Sequence, residues 1–328
     1  MTFTSRGLYA SSSKVPRRRR RPRVGWLVLG AIVAIVALVL GALIALADVS
    51  LDRREKTESF SGVSELILRN DTSGNVELTR TDGDAITVAR TLRGSPLAEP
   101  VDSLTQKGDE LWAEGRCDGP PFFFGYCGVD YVIGVPEGTT VSVESMSGEI
   151  DAMSVAGDLK LKTTSGGIEA EGVRGDVTAA SASGDIEAEG VEGNIDLQTS
   201  SGGIEASGSG DSARAESTSG TVELSDFSAK SVEARSTSGG VEVGGGFETA
   251  DVSSTSGLVE IDTATPFKRI TAESTSGGVD ISVPAGTYDI SAETGSGGRD
   301  IGVGTSPDAA AKINATTTSG SVSVQPED

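Results

Sequence analysis

The sequence has no histidine. The usual neutral-pH general base, the commonest zinc ligand and every Ser-His or Cys-His arrangement are therefore excluded together. Aromatic residues are only 4 % of the 328 positions, too few to line a sugar-stacking cleft. A core has to come from small and β-branched side chains, which favours a narrow stack of sheets over a bulky globule. After residue 47 no heptad or 3.6-residue apolar spacing occurs, so the remainder is not expected to be helical.

Positive charge is also scarce outside one block. Of the 27 Lys and Arg, eight (Arg6, Lys14, Arg17 to Arg21 and Arg23) precede residue 24, where there is no acid. The rest of the chain holds 19 basic against 48 acidic residues, a net −29. Such a surface repels nucleic acid, whose binding rests on phosphate neutralisation, and no nucleic-acid partner is expected. High acidity also serves solubility.

What is present begins with residues 24–47, VGWLVLGAIVAIVALVLGALIALA, 24 uncharged and mostly apolar positions. At ~1.5 Å per residue they are long enough for a ~30 Å hydrocarbon core. RRRRRPR (17–23) precedes them and Asp48 follows, so the positive-inside rule expects a cytoplasmic N-terminus and an extracytoplasmic remainder. Ala45-Leu46-Ala47 also fits a small-x-small signal cleavage site, though the apolar run exceeds the ~7–15 residues of a secretory signal. Either way the bulk of the chain is expected outside. There Cys117 and Cys127, bracketing CDGPPFFFGYC, are expected to form a disulfide.

The strongest pattern is a repeat. A Ser-Gly pair recurs at Ser147, Ser165, Ser183, Ser201, Ser219, Ser238, Ser256, Ser276, Ser296 and Ser319, in steps of 18, 18, 18, 18, 19, 18, 20, 20 and 23, with an earlier copy at Ser73. Within GDVTAASASGDIEAEGVEG (175–193), two short segments alternate apolar and polar residues around the pair, as half-buried strands do. Two strands and two turns per period describe one coil of a parallel β-solenoid, with a sandwich as the alternative. At the Ser-Gly corner the glycine is expected to take positive φ. Residues 59–146 carry longer, more apolar strands expected to begin the same stack and cap it. VPEGT (135–139) recurs as VPAGT (283–287). The expected divisions are a basic cytoplasmic tail 1–23, a transmembrane helix 24–47, a charged linker 48–58, the N-terminal β part 59–146 and Ser-Gly coils over 147–328.

FSGVSELILRNDTSGNVEL (60–78), VIGVPEGTTVSVESMSGEI (132–150) and the SGGIEAEGV-type coils resemble the bacterial "putative adhesin" family of β-strand-repeat domains of unknown function. The resemblance covers about 59–328. It implies an extended, envelope-attached β-repeat domain without established catalytic activity, and it names no ligand.

Three features compete for a functional role. Four residues after the Ser of each pair stand Glu77, Asp151, Glu169, Glu187, Glu205, Glu223, Glu242, Glu260, Asp280 and Asp300; only Ser319 has Ser323 instead. Stacked in register they form a carboxylate column. Calcium bound along Glu169, Glu187, Glu205, Glu223, Glu242, Glu260 and Asp280 would offset the repulsion; the competing reading is a solvated strand face screened by salt. Phe122, Phe123, Phe124 and Tyr126 are either a hydrophobic tip for a partner or a cap over the solenoid's end. The Ser/Thr runs before each Gly, such as Ser217-Thr218-Ser219, are read as turn stabilisers. No catalytic residue or cofactor is expected.

These observations predict a non-enzymatic, single-pass protein of the bacterial cell membrane. Its role is surface adhesion or envelope scaffolding, with an envelope glycan or surface protein as partner; an envelope sensor is the alternative.

Overall fold

The structure is a computed structural model describing residues 33–38, 41, 52–95, 98–119 and 126–327. Two compact units are present, 1–49 and 50–328. In the first, the described residues 33–38 and 41 are helical. No helix among the described residues is long and apolar enough to cross a membrane. Apart from these few positions, the span expected over 24–47 lies outside the described residues.

The second unit is all β, and its regular part is the expected parallel solenoid. One coil shows why. In Val177–Ser181 the residues Val177, Ala179 and Ser181 are buried and Thr178 is exposed; after the Ser-Gly corner, Ile186 and Ala188 are buried and Glu187 is exposed. Alternation at period two can bury only one face of each strand. Two such faces therefore close on each other across a thin interior. Coils stack in parallel and like sits on like. Val177 lies beside Leu159 and Ile195, and Ile186 beside Ile168 and Ile204. Burying each such branched side chain stabilises by about 1.5–3 kcal/mol, and small Ala columns (Ala152, Ala170, Ala188, Ala206) let the sheets approach.

The glycine of the Ser-Gly corner is needed for a different reason from the expected one. Gly220 does not have positive φ. A Cβ placed on it would stand 1.8 Å from the carbonyl oxygen of Gly202 in the coil before, so the corner needs glycine for close stacking. Left-handed backbone occurs at the opposite corner, at Gly172 (φ 62°) and Gly190 (φ 61°), where Ser154 adopts φ 56° in the equivalent place.

Coils do not follow chain order at the ends. The first, Glu65–Asn70 with Val76–Arg80, lies between Glu110–Asp118/Gly128–Val135 on one side and Thr140–Ser145/Ile150–Met153 on the other. The last, Lys312–Ser319 with Val322–Pro326, likewise lies between Arg269–Ser274/Val279–Val283 and Thr287–Ser296/Arg299–Ile301. VPEGT and VPAGT are the two connections that skip a level. Each leaves a one-coil gap that a terminal coil fills. The backbone N–H of Thr81 donates to the Val135 carbonyl (3.0 Å) and that of Glu327 to the Val283 carbonyl (2.8 Å), so both inserted coils leave the stack beneath the motif's valine.

At the N-terminal end, antiparallel strands cover the stack's edges, where exposed parallel strands would invite pairing with other chains. Ala85–Gly94 pairs with Gly128–Val135, Asp52–Ser61 pairs with Ala85–Gly94, and Glu99–Lys107 pairs with Glu110–Asp118. Asp52–Ser61 begins inside the stretch expected to be a linker. At the other end, Val303 and Ala311 of the 302–311 connection pack against the core.

Candidate functional site: an acidic face

The second strand of every coil aims its middle residue outward, because its neighbours on either side are the buried pair. Register then aligns these residues: Glu77 beside Asp151, and onward through Glu169, Glu187, Glu205, Glu223, Glu242 and Glu260 to Asp280. The exceptional Ser323 belongs to the inserted last coil, and it stands between Asp280 and Asp300. Among the described residues none of these carboxylates forms an ion pair with Lys or Arg. Burial and then repulsion raise proton affinity at Asp151, Glu187 and Glu242. Asp151 is pushed up to about 6 by burial, then by Glu149, Glu169 and Glu77. Glu187 is raised by desolvation and by Glu189, Glu169 and Glu205, and Glu242 by desolvation and by Glu223, Glu260 and Asp262.

The outward face of the other sheet has the opposite design. Arg214 lies 3.9 Å from Asp196 and 2.7 Å from Glu233, while Arg235 reaches Glu233 (2.5 Å) and Asp251 (3.5 Å). Asp196, Arg214 and Glu233 alternate in sign on adjacent coils, and Arg235 bridges the neighbouring acids Glu233 and Asp251. The two outward faces thus differ: over 196–251 one carries interlocked ion pairs, while the other is a line of carboxylates without basic partners, whose field attracts cationic groups. Among the described residues no group of three or more acidic or cysteine side chains converges as a metal ion requires. The column instead spreads its carboxylates at strand spacing, about 4.8 Å.

Two internal ladders hold this face in place: the first is built by the Ser/Thr runs read as turn stabilisers, and the second has no counterpart in the sequence reading. The buried hydroxyl is two residues before the serine of the pair. Ser217 Oγ donates to the Gly202 carbonyl (2.9 Å) and accepts from the Gly220 N–H (2.8 Å). Ser181, Thr199, Ser236, Ser254 and Ser274 repeat both bonds. At the return corner Asp158 Oδ1 accepts from the Asp176 N–H (2.9 Å), and Asp176 Oδ1 accepts from the Asn194 N–H (2.8 Å). Their signal was the 18-residue recurrence of Asp or Asn, masked by the general abundance of acids.

Cys117 and Cys127 are joined in a disulfide. Of the aromatic group, Phe122, Phe123 and Phe124 lie outside the described residues, and Tyr126 is 46 % exposed. Trp112, on the same end of the solenoid, is half exposed beneath Lys107, whose Nζ lies 5.6 Å from the ring centroid.

None of the curated proteins matches the chain. Among solved structures it is similar to a "putative adhesin" of Bacteroides fragilis NCTC 9343 (15 % identity, 85 % of this chain and 98 % of that one, TM-score 0.37). It is similar also to a "putative lipid binding protein" of Parabacteroides distasonis ATCC 8503 (15 % identity, 83 % and 96 %, TM-score 0.45). A third is a "putative cell adhesion protein" of Clostridium sporogenes ATCC 15579 (10 % identity, 84 % and 100 %, TM-score 0.22). None of these three reaches a TM-score of 0.5, so the fold rests on this chain's own strand pairings. The family assignment rests on sequence: the profile described as Toastrack DUF4097 matches residues 48–216 and 193–325, and the chain belongs to that family.

Proposed function

We propose that the chain is a single-pass protein of a bacterial cell membrane, anchored by residues 24–47 with 1–23 on the cytoplasmic side. Its solenoid serves outside as a non-enzymatic adhesion or envelope-scaffold module. The observation that carries this reading is the stack itself. A parallel solenoid tied coil to coil by hydroxyl ladders is a stiff arm whose length scales with coil number, and stiffness and reach are what a scaffold needs. The acidic face favours basic partners on a surface protein or hydrogen-bonding envelope glycans over acidic ones. The Cys117–Cys127 disulfide suits an oxidising compartment.

The test begins with topology. Protease added to intact cells should remove a C-terminal tag and leave an N-terminal tag protected in the membrane fraction; a protected C-terminus sinks the reading. Beads bearing the solenoid should then retain purified envelope polymer or a surface protein. Capture of a cytoplasmic regulator by residues 1–23, with no ligand for the solenoid, would favour sensing instead.

A further inference from the structure

The last coil is out of chain order. From Val283 the chain skips a level through VPAGT, lays down Thr287–Ser296 and Arg299–Ile301, and returns along 302–311 to fill the level it left. Residues 312–326 therefore have a parallel neighbour on both sides, although they follow both neighbours in sequence. Ile313 faces Ile270 on one side and Ile290 on the other, and Ala315 faces Ala272 and Ala292. Val322 and Val324 are fully buried. The incoming coil also suits the charges of its hosts. Ser323 separates Asp280 from Asp300, which would otherwise be neighbours, and Lys312 Nζ reaches Asp289 at 3.1 Å.

The 302–311 tether is largely exposed, and its ten residues can extend to about 33 Å. Apart from the Gly302 N–H, which donates to the Val324 carbonyl from the tether, the backbone partners and side-chain columns of the slot are supplied by 268–283 and 287–301, whichever chain the filling coil belongs to. This is the situation in which an element can be exchanged between copies at little cost. We propose that residues 312–326 are a guest coil, and that the slot they fill is a binding site for the same coil of a second copy, so that two copies can trade this coil.

The test uses the full-length chain with a protease site inserted after Pro307 in the tether. After cleavage the 312–328 fragment should remain bound through gel filtration. It should exchange, in urea too dilute to unfold the rest, with a labelled synthetic peptide of residues 308–328. The same peptide carrying Ile313→Asp should bind about a hundredfold more weakly or worse, since a charge would enter a dry column. Loss of the fragment on cleavage without peptide uptake overturns the proposal. So does a fragment that never exchanges, or equal binding of the Ile313→Asp peptide, which would mean adhesion to an outer edge. Hydrogen exchange on the uncut chain gives an independent reading. Amides of 313–317 should exchange at least tenfold more slowly than those of 290–294; the reverse order would place 312–326 outermost and end the idea.

Discussion

Ser217 Oγ donates a 2.9 Å hydrogen bond to the carbonyl of Gly202, a residue of the coil before its own. The bond makes a side chain the rivet between successive levels, and its recurrence sets up a comparison with an internal control. Thr199 makes the same contact to Gly184 (3.0 Å) and also accepts from the Gly202 N–H (3.2 Å). Thr163, two coils earlier, is equally buried, yet its Oγ1 has no partner. Thr199→Val should therefore cost about 1–3 kcal/mol, because a donor and an acceptor lose their bonds. Thr163→Val should be neutral or stabilising, since it removes an unsatisfied hydroxyl. Urea denaturation of the two variants reads this directly. Equal losses would mean that the hydroxyls act by shape alone.

Two glycine classes should likewise separate. Gly220→Ala drives a methyl group onto a backbone oxygen at 1.8 Å that cannot move without parting two coils. It should cost more than about 4 kcal/mol or prevent folding. Gly190→Ala places its Cβ 3.9 Å from the nearest atom, but at φ 61°; about 1–2 kcal/mol of left-handed strain is expected. Thermal melts that rank the two the other way would contradict the corner assignment.

The period, the inward positions and the register of the acidic column are legible in the sequence because stacking repeats them every 18 to 20 residues. Coil order is not. Every coil offers the same inward pattern, so any one fits beside any other. VPEGT and VPAGT are visible as a repeat, but that they skip a level depends on pairing between segments far apart in the chain. Which hydroxyl of the Ser217-Thr218-Ser219 run is the buried one follows from the inward alternation, which only Ser217 continues back through Ala215 and Ala213. The same test would have exposed Arg90, which follows Ile86 and Val88 on an inward face.

The acidic face predicts a pH dependence whose sign follows from Asp151. Its ordinary value of 3.8 is raised to about 6 in the folded chain. Stability from this group is fully present below about 4 and is lost as pH rises through 6. Glu187 and Glu242, raised for the same reasons, act in the same direction. Glu248, lowered by Lys268, acts oppositely at an exposed site. The melting temperature should thus be higher near pH 5 than at pH 7.5. Added salt should raise it at pH 7.5 by screening the column. Asp151→Asn should stabilise at pH 7.5 by about 1 kcal/mol after allowing for its partial exposure, with little effect below pH 4. A melting curve flat between pH 5 and 7.5, or an Asp151→Asn variant less stable than the parent at pH 7.5, would contradict this.

Arg90 tests the cap that closes the N-terminal end. It occupies an inward position of Ala85–Gly94, with its side chain 2 % exposed against an Asp102 side chain that is 4 % exposed. Nη1 donates to Asp102 and Nη2 to Glu58, and Lys56 Nζ reaches Asp102 at 2.7 Å. Through these groups Asp52–Ser61 and Glu99–Lys107 are pinned to the strand between them in the chain. Removing Asp102 leaves the buried guanidinium only the half-exposed Glu58 as counter-charge, so Asp102→Ala should cost about 3 kcal/mol, the low end of a broken buried pair. Replacing both as Arg90→Met with Asp102→Leu should recover most of that loss, because an apolar pair needs no solvation. A double-mutant cycle by urea denaturation gives the coupling. If the double variant is no more stable than the worse single one, the site tolerates neither charge loss nor repacking, and the pair is a structural requirement of the cap rather than a compensated charge.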